Sequence, residues 1–156
     1  MILTSTAFTH YGEISLLYTC EGEDMSPPLD WKDIPEPTKS LVLIVYDPDA
    51  PDPKAPKMTW VHWLLYNIPP NVDHLNENLK SSDLPLGTLE GVNSWKRSGY
   101  GGPCPPIGRH RYFHKLYALN AILPDLKLPT KEKLEAQMGE LVVASTEIVG
   151  TYEASK

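Results

Sequence analysis

Two stretches far apart in the chain carry the residues whose types and spacing could do chemistry. The first, Tyr46-Asp47-Pro48-Asp49-Ala50-Pro51-Asp52-Pro53, directly follows the apolar run 41–45. Asp caps turns with its own side chain and Pro fixes φ, so such a stretch is satisfied as an ordinary loop. It also sets Asp47 and Asp49 at the end of a buried strand, where rigid scaffolds commonly place binding residues. His62 lies in the middle of the next apolar run and brings two ring nitrogens that need partners when buried. A satisfied core histidine explains it equally well, with Asp47 or Asp49 as that partner.

The second stretch is Ser98-Gly99-Tyr100-Gly101-Gly102-Pro103-Cys104-Pro105-Pro106-Ile107-Gly108-Arg109-His110-Arg111-Tyr112. Glycine lets consecutive N–H groups turn towards an anion, and proline holds such a loop in shape. The Gly-Lys-Ser/Thr ending of a Walker loop is absent, and as a bare pattern a Gly/Pro-rich segment is more often only a loop. His110 and His114 have the spacing of a helical zinc pair, yet residues 111–119 are aromatic and β-branched enough to prefer a strand. Four strand residues span roughly 13 Å, too far for one ion, so no metal site is read here. In a strand, His110 and Tyr112 point to one face and suit a shared pocket wall.

The elements that must position these residues are mostly strands. Runs rich in β-branched and aromatic residues recur at 13–19, 40–46, 59–68, 110–119 and 141–152, which favours an antiparallel all-β sandwich or barrel over parallel α/β. Within 60–67, Trp60, His62, Leu64 and Tyr66 alternate with Val61, Trp63, Leu65 and Asn67, so a central strand covered on both faces is expected. One helix is expected at Lys131–Met138, with Thr130 as N-cap, Leu134 and Met138 one turn apart, and Gly139 as the stop. A weaker helical turn is expected near 74–80.

A length of 156 residues suits a single domain, 1–156, and 16 prolines against 10 glycines point to stiff loops rather than long helices. The net charge of −6 argues against a general nucleic-acid binder. Between Glu90 and Asp125 there is no acidic residue, while Lys96, Arg97, Arg109, Arg111 and Lys115 fall there, a local patch suited to one small anion. No stretch approaches the roughly 18 apolar residues of a membrane span, and residues 1–10 lack a signal-peptide pattern. A cytoplasmic chain is expected. Cys20 and Cys104 are too few for a disulfide framework and show no metal-ligand spacing, so they read as reduced thiols.

Taken together, Asp47-Pro-Asp-Ala-Pro51, Trp60-Val-His62 and Gly101-Gly-Pro103 followed by Gly108-Arg-His-Arg-Tyr112 closely resemble the two signature regions of the phosphatidylethanolamine-binding protein family, in order and in separation. The likeness runs from Thr19-Cys-Glu-Gly-Glu-Asp-Met-Ser-Pro-Pro28 to Val149-Gly-Thr-Tyr152, and the bacterial and archaeal branch, Raf kinase inhibitor-like, fits best. The resemblance implies a mainly β, antiparallel Greek-key, β-sandwich-like fold with few short helices. It also implies a cavity for phosphate, phosphorylethanolamine and similar small anions, with no cofactor. By the same likeness Asp47, His62, His110 and Tyr112 match the family's pocket residues, and Asp49, Trp60, Gly101, Gly102 and Pro103 its rim. The Ala50–Pro51 bond is expected to be cis, and a homodimer is among the states the bacterial likeness allows. Lys156 follows closely on Tyr152, where the mammalian proteins continue into a helix bordering the pocket, so the likeness by itself does not carry over kinase regulation or whole-phospholipid binding.

The physical expectation is an anion held by imidazole N–H groups of His62 and His110, by loop amides and by the Tyr112 hydroxyl. Asp47 and Asp49 would orient the histidines or receive an ammonium group. The leading reading is a non-enzymatic binding protein, open to a protein partner such as a kinase or protease. Two other readings stay open: a metal-dependent hydrolase using Asp47, Asp49, His62 and His110, and a protein inhibitor acting through surface loops.

Overall fold

The computed structural model describes residues 1–155. Its strands are β1 (Ile2–Thr4), β2 (Gly12–Glu13), β3 (Leu29–Lys32), β4 (Ser40–Ala50), β5 (Met58–Ile68), β6 (His74–Leu75), β7 (Leu89–Glu90), β8 (Arg109–Leu119) and β9 (Val142–Glu153). One α-helix, α1, spans Lys131–Met138. The large sheet has the order β2-β9-β8-β4-β5-β7, and the small one β1-β3-β6. All pairings are antiparallel except the two-residue contact of β2 with β9.

The small sheet covers one face of the large one. Leu3, Leu29, Trp31 and Leu75 from the small sheet meet Leu41, Leu43, Val45, Trp63, Leu65, Tyr112 and Leu116 from the large one. On the opposite face Val42, Ile44, Leu64 and Tyr66 pack under α1 through Leu134 and Met138. The middle of β4 and β5 is therefore buried from both sides, as their unbroken apolar runs require. The helix follows its local signals: the Thr130 hydroxyl accepts from the Lys133 N–H at 3.2 Å, and Gly139 ends it at φ 40°.

Three local expectations are corrected. Of 13–19, only Glu13 is strand, as the second residue of β2; Leu16–Tyr18 form a 3₁₀ turn because the Ser15 side chain caps the Leu17 N–H at 3.2 Å. The turn expected at 74–80 is absent. His74–Leu75 pair with β3, and the N–H groups of Asn78 and Leu79 donate to Ser26, which leaves no helical ladder. A single 3₁₀ turn follows at Ser81–Asp83.

The third correction concerns the cysteines. Cys20 and Cys104 are joined in a disulfide across 84 residues of sequence. Two cysteines cannot make a framework, but one bridge needs only that the fold bring them together, and the Cys20 N–H also donates to the Pro103 carbonyl at 3.1 Å.

Among the described residues no helix is long and apolar enough to cross a membrane. Leu134 is the fully buried anchor of α1. Leu134→Ala is expected to lower unfolding free energy by about 2 to 4 kcal/mol, read by urea denaturation, with β-sheet circular dichroism retained.

Candidate functional site

A cavity of about 400 Å³ opens where the ends of β4, β5 and β8 meet the loop before β8. Its wall includes Asp47, Trp60, His62, His110 and Tyr112, all expected from the sequence, together with Pro51, Met58, Trp95, Cys104, Pro105 and Pro106. The Asp/Pro stretch is no free loop: β4 runs on through Asp47-Pro48-Asp49 to Ala50, and the Ala50–Pro51 bond that follows is cis.

His62 reaches the cavity through a β-bulge. Val45 pairs with Trp63 and Tyr46 with Val61, so one step of β4 faces two of β5, and His62 is the extra residue. A bulge re-aims side chains beside it, which breaks the strict alternation expected for this strand. Val61 joins Leu64 and Tyr66 on the helix side, while Trp63 turns to the small sheet. The His62 ring is left edge-on to Tyr112 and Trp95, each at 5.2 Å between centroids.

Hydrogen bonding fixes the protons at His62. Its Nδ1 lies 2.6 Å from the Gly101 carbonyl, which can only accept, so Nδ1–H donates and Nε2 of the neutral ring keeps its lone pair. Burial pushes the ring's pKa down to about 4, against the pull of the Gly101 carbonyl. The N–H donor expected at His62 is thus, at Nε2, a neutral acceptor near neutral pH.

His110 is differently committed. Its Nδ1 lies 2.5 Å from Asp47 Oδ2, and its Nε2 lies 2.9 Å from the Ile107 carbonyl and 3.1 Å from that of Pro51. Two carbonyls around Nε2 require a hydrogen there, so a single proton is shared between Nδ1 and Asp47. Whichever side holds it, the pair carries no net charge. Burial raises the Asp47 carboxyl above its ordinary range, and the His110 hydrogen bond only partly opposes this. The Nε2–H expected to face an anion is already given to the two backbone carbonyls.

Tyr112 is the unpaired member. It is 1% exposed, and its hydroxyl has no hydrogen-bond partner. Burial, then the nearby Asp47 charge, raises its pKa, so the O–H remains intact across the physiological range.

The remaining expected residues stand behind the wall. Asp49 accepts from Arg111 Nε at 3.0 Å, from its terminal nitrogen at 2.9 Å and from its backbone N–H at 2.9 Å, a fork that locks β4 to β8. The Gly101 N–H donates to the His62 carbonyl, the Gly102 N–H to Asp24, and the Pro103 carbonyl accepts from Cys20. The Gly101 and Gly102 amides are therefore spent on positioning. Gly101 is required for close approach, because a Cβ there would collide with the Trp95 ring.

Trp95 was not legible as a cavity residue. Asn93 positions it, its Oδ1 accepting from the Trp95 N–H at 2.9 Å and its amide donating to the Gly99 carbonyl at 3.0 Å. That Asx turn in Asn93-Ser-Trp95 was the available signal.

The cationic patch does not reach the cavity, whose wall contains no Lys or Arg among the described residues. Arg111 is held by Asp49, Arg109 by Glu13 and Glu153, and Arg97 lies over Trp95. Among the described residues no three His, Cys, Asp or Glu side chains converge as a metal site would. Asp49 and His110 direct their polar atoms to the partners just described, and His62 commits its Nδ1 to Gly101.

The comparisons agree with this architecture. The family model for phosphatidylethanolamine-binding protein matches residues 4–153, and the chain belongs to that family. The UPF0098 protein of Methanothermobacter thermautotrophicus is 42% identical over 153 residues, covering 97% of this chain and 98% of its own. The UPF0098 protein of Chlamydia trachomatis is 41% identical, covering 98% and 99%. Among solved structures, a phosphatidylethanolamine-binding protein homologue from Chlamydia trachomatis superimposes with TM-score 0.90 at 40% identity, covering 99% of this chain and 97% of that one. Escherichia coli YbcL, described as a new member of the mammalian family, gives TM-score 0.88 at 30% identity, with 98% of each chain covered.

Burial pushes the Asp49 carboxyl up, but Arg111 outweighs it and holds the group below its ordinary range. Its contribution to stability is present above the unfolded value of about 3.9 and is lost as pH falls through the depressed folded value. Asp49→Ala is therefore expected to cost about 2 kcal/mol at pH 7 and to flatten the acid limb of a stability profile taken by urea unfolding. Unchanged stability at pH 7 would contradict the clamp.

Proposed function

We propose that the chain is a non-enzymatic binding protein whose cavity takes a small phosphorylated or anionic ligand together with one proton. The observation that carries this reading is the Tyr112 hydroxyl, buried in the cavity wall with no partner. An unpaired buried hydroxyl costs free energy of about 1 to 3 kcal/mol, which a ligand oxygen accepting from it would recover.

The wall also constrains the charge. Among the described residues no Lys or Arg lines it, the Asp47–His110 pair is neutral, and His62 offers a lone pair rather than a donor. A phosphomonoester dianion would find too little positive charge there. Its monoanion fits: one oxygen accepts from Tyr112, and the P–OH donates to His62 Nε2. Equivalently, the proton resides on His62 and the dianion rests against it. Trp60, Trp95 and Met58 supply apolar cover for whatever the acid is attached to.

The pH dependence follows from proton retention. The complex keeps a proton that the free partners lose, the phosphoryl group above about pH 6 and His62 above about 4. Affinity for phosphorylethanolamine is therefore expected to fall as pH rises from 6 to 8, by up to tenfold per unit, in Trp-fluorescence titrations. pH-independent binding would sink the reading, as would an equal response to a neutral polyol.

Tyr112→Phe separates binding from folding. Removing an unpaired hydroxyl should leave stability unchanged or slightly raised, while phosphorylethanolamine affinity falls about tenfold, equivalent to about 1.4 kcal/mol. Undiminished affinity in the variant would overturn the assigned role.

A further inference from the structure

The disulfide is used by nothing in the binding reading, yet Cys104 stands in the cavity wall beside Pro105 and Pro106. Both cysteines are solvent-exposed, so a reductant can reach the bridge. The chain on either side of this wall is held very differently. Gly101, Gly102 and Pro103 are buried, with the Gly102 N–H on Asp24 at 2.8 Å, and a Cβ at Gly102 would collide with the Tyr18 carbonyl. From Arg109 onwards the chain is paired along β9.

Between these anchors, Cys104 to Gly108 form a strap. Pro105 and Pro106 have no N–H, and the strap makes no backbone–backbone hydrogen bond outside strands and helices. Pro105 is buried, and two bonds attach the rest of the strap: the bridge from Cys104 to Cys20, and the Ile107 carbonyl accepting from His110 Nε2–H at 2.9 Å. Gly108, at φ 79°, supplies a pivot that few other residues tolerate.

We infer that the Cys20–Cys104 bridge is a redox latch on the cavity: it holds the 104–108 strap against His110, and its reduction releases the strap, enlarges the mouth and frees the His110 Nε2–H from the Ile107 carbonyl. The reductant is a dithiol. Its two electrons and two protons break the S–S bond, Cys20 and Cys104 become thiols, and the dithiol leaves as its own disulfide. Because Gly101–Pro103 are seated independently, the His62–Gly101 hydrogen bond and the Trp95 packing stay in place. The latch thus acts on one wall of the cavity and not on its floor.

The inference concerns the wall and does not depend on which ligand binds. The test compares the oxidised protein, the same protein reduced with dithiothreitol, and Cys20→Ser, which removes the bridge without altering a cavity residue. Imidazole and amide NMR report the state, and alkylation of the free thiols verifies reduction. Release of the strap predicts at least tenfold faster solvent exchange of His110 Nε2–H, shifted resonances at 104–108, and unchanged resonances at the centres of β4 and β8. Reoxidation should restore the first state, and Cys20→Ser should match the reduced form and ignore dithiothreitol.

Unchanged His110 exchange with both thiols alkylatable would overturn the latch. So would loss of signal dispersion throughout β4 and β8, since the bridge would then hold the whole fold. A phosphorylethanolamine titration run on both redox forms keeps the two readings apart. Absence of binding to either form counts against the binding reading alone, while the exchange measurement, made without ligand, still decides the latch.

Discussion

A buried hydrogen bond between Asp47 and His110 links two stretches 63 residues apart, and the rest of the site is arranged around it. Asp47 sits at the far end of β4 and His110 at the start of β8, neighbouring strands whose register is fixed further along by a continuous ladder from Ser40 to Tyr46. At their ends the ladder gives way to side chains: Asp47 to His110, and Asp49 to Arg111. A charge buried alone would be expensive, but a carboxyl and an imidazole sharing one proton form a neutral unit that can be buried within a cavity wall. The backbone carbonyls of Pro51 and Ile107 then fix the other ring nitrogen and bring the strap over the cavity.

Seen from that pair, the cavity is neutral, and this changes what it can bind. Beside that pair in the wall, His62 is turned inward by a bulge and gives its only hydrogen to Gly101, and Tyr112 keeps a hydrogen with no taker. The His62 acceptor and the Tyr112 donor, with Trp60 and Trp95 beside them and no cation in the described wall, suit a protonated acid group better than a multiply charged anion. The family to which the chain belongs is consistent with ligand binding, and the donor and acceptor assignment narrows the chemistry within that frame.

Much of this was legible in the sequence, and the losses have identifiable causes. The long strands and α1 were readable because 8 to 12 residues carry enough apolar pattern and capping chemistry to outweigh chance. Strands of two to four residues, such as Ile2–Thr4 and His74–Leu75, have no period to detect and exist only through their partners. Period-two reasoning placed His110 and Tyr112 together correctly, since β8 has no bulge there, and failed at His62, where an extra residue resets the faces. Residue types identified Asp47, Asp49 and the Gly101–Pro103 loop but could not say which polar atoms face the cavity and which are consumed in holding it. The disulfide was missed for the related reason that spacing in sequence says nothing about distance across a fold.

The central claim is that the cavity binds an acid with its proton, and proton counting tests it directly. Calorimetric titration with phosphorylethanolamine at pH 7, repeated in buffers of different ionisation enthalpy, measures the protons taken up on binding. A phosphoryl group with pKa near 6 is mostly dianionic at that pH, so uptake of about 0.9 proton per ligand is predicted. Binding with no proton uptake would contradict the account, because the cavity would then take the dianion without a proton shared between the ligand and His62.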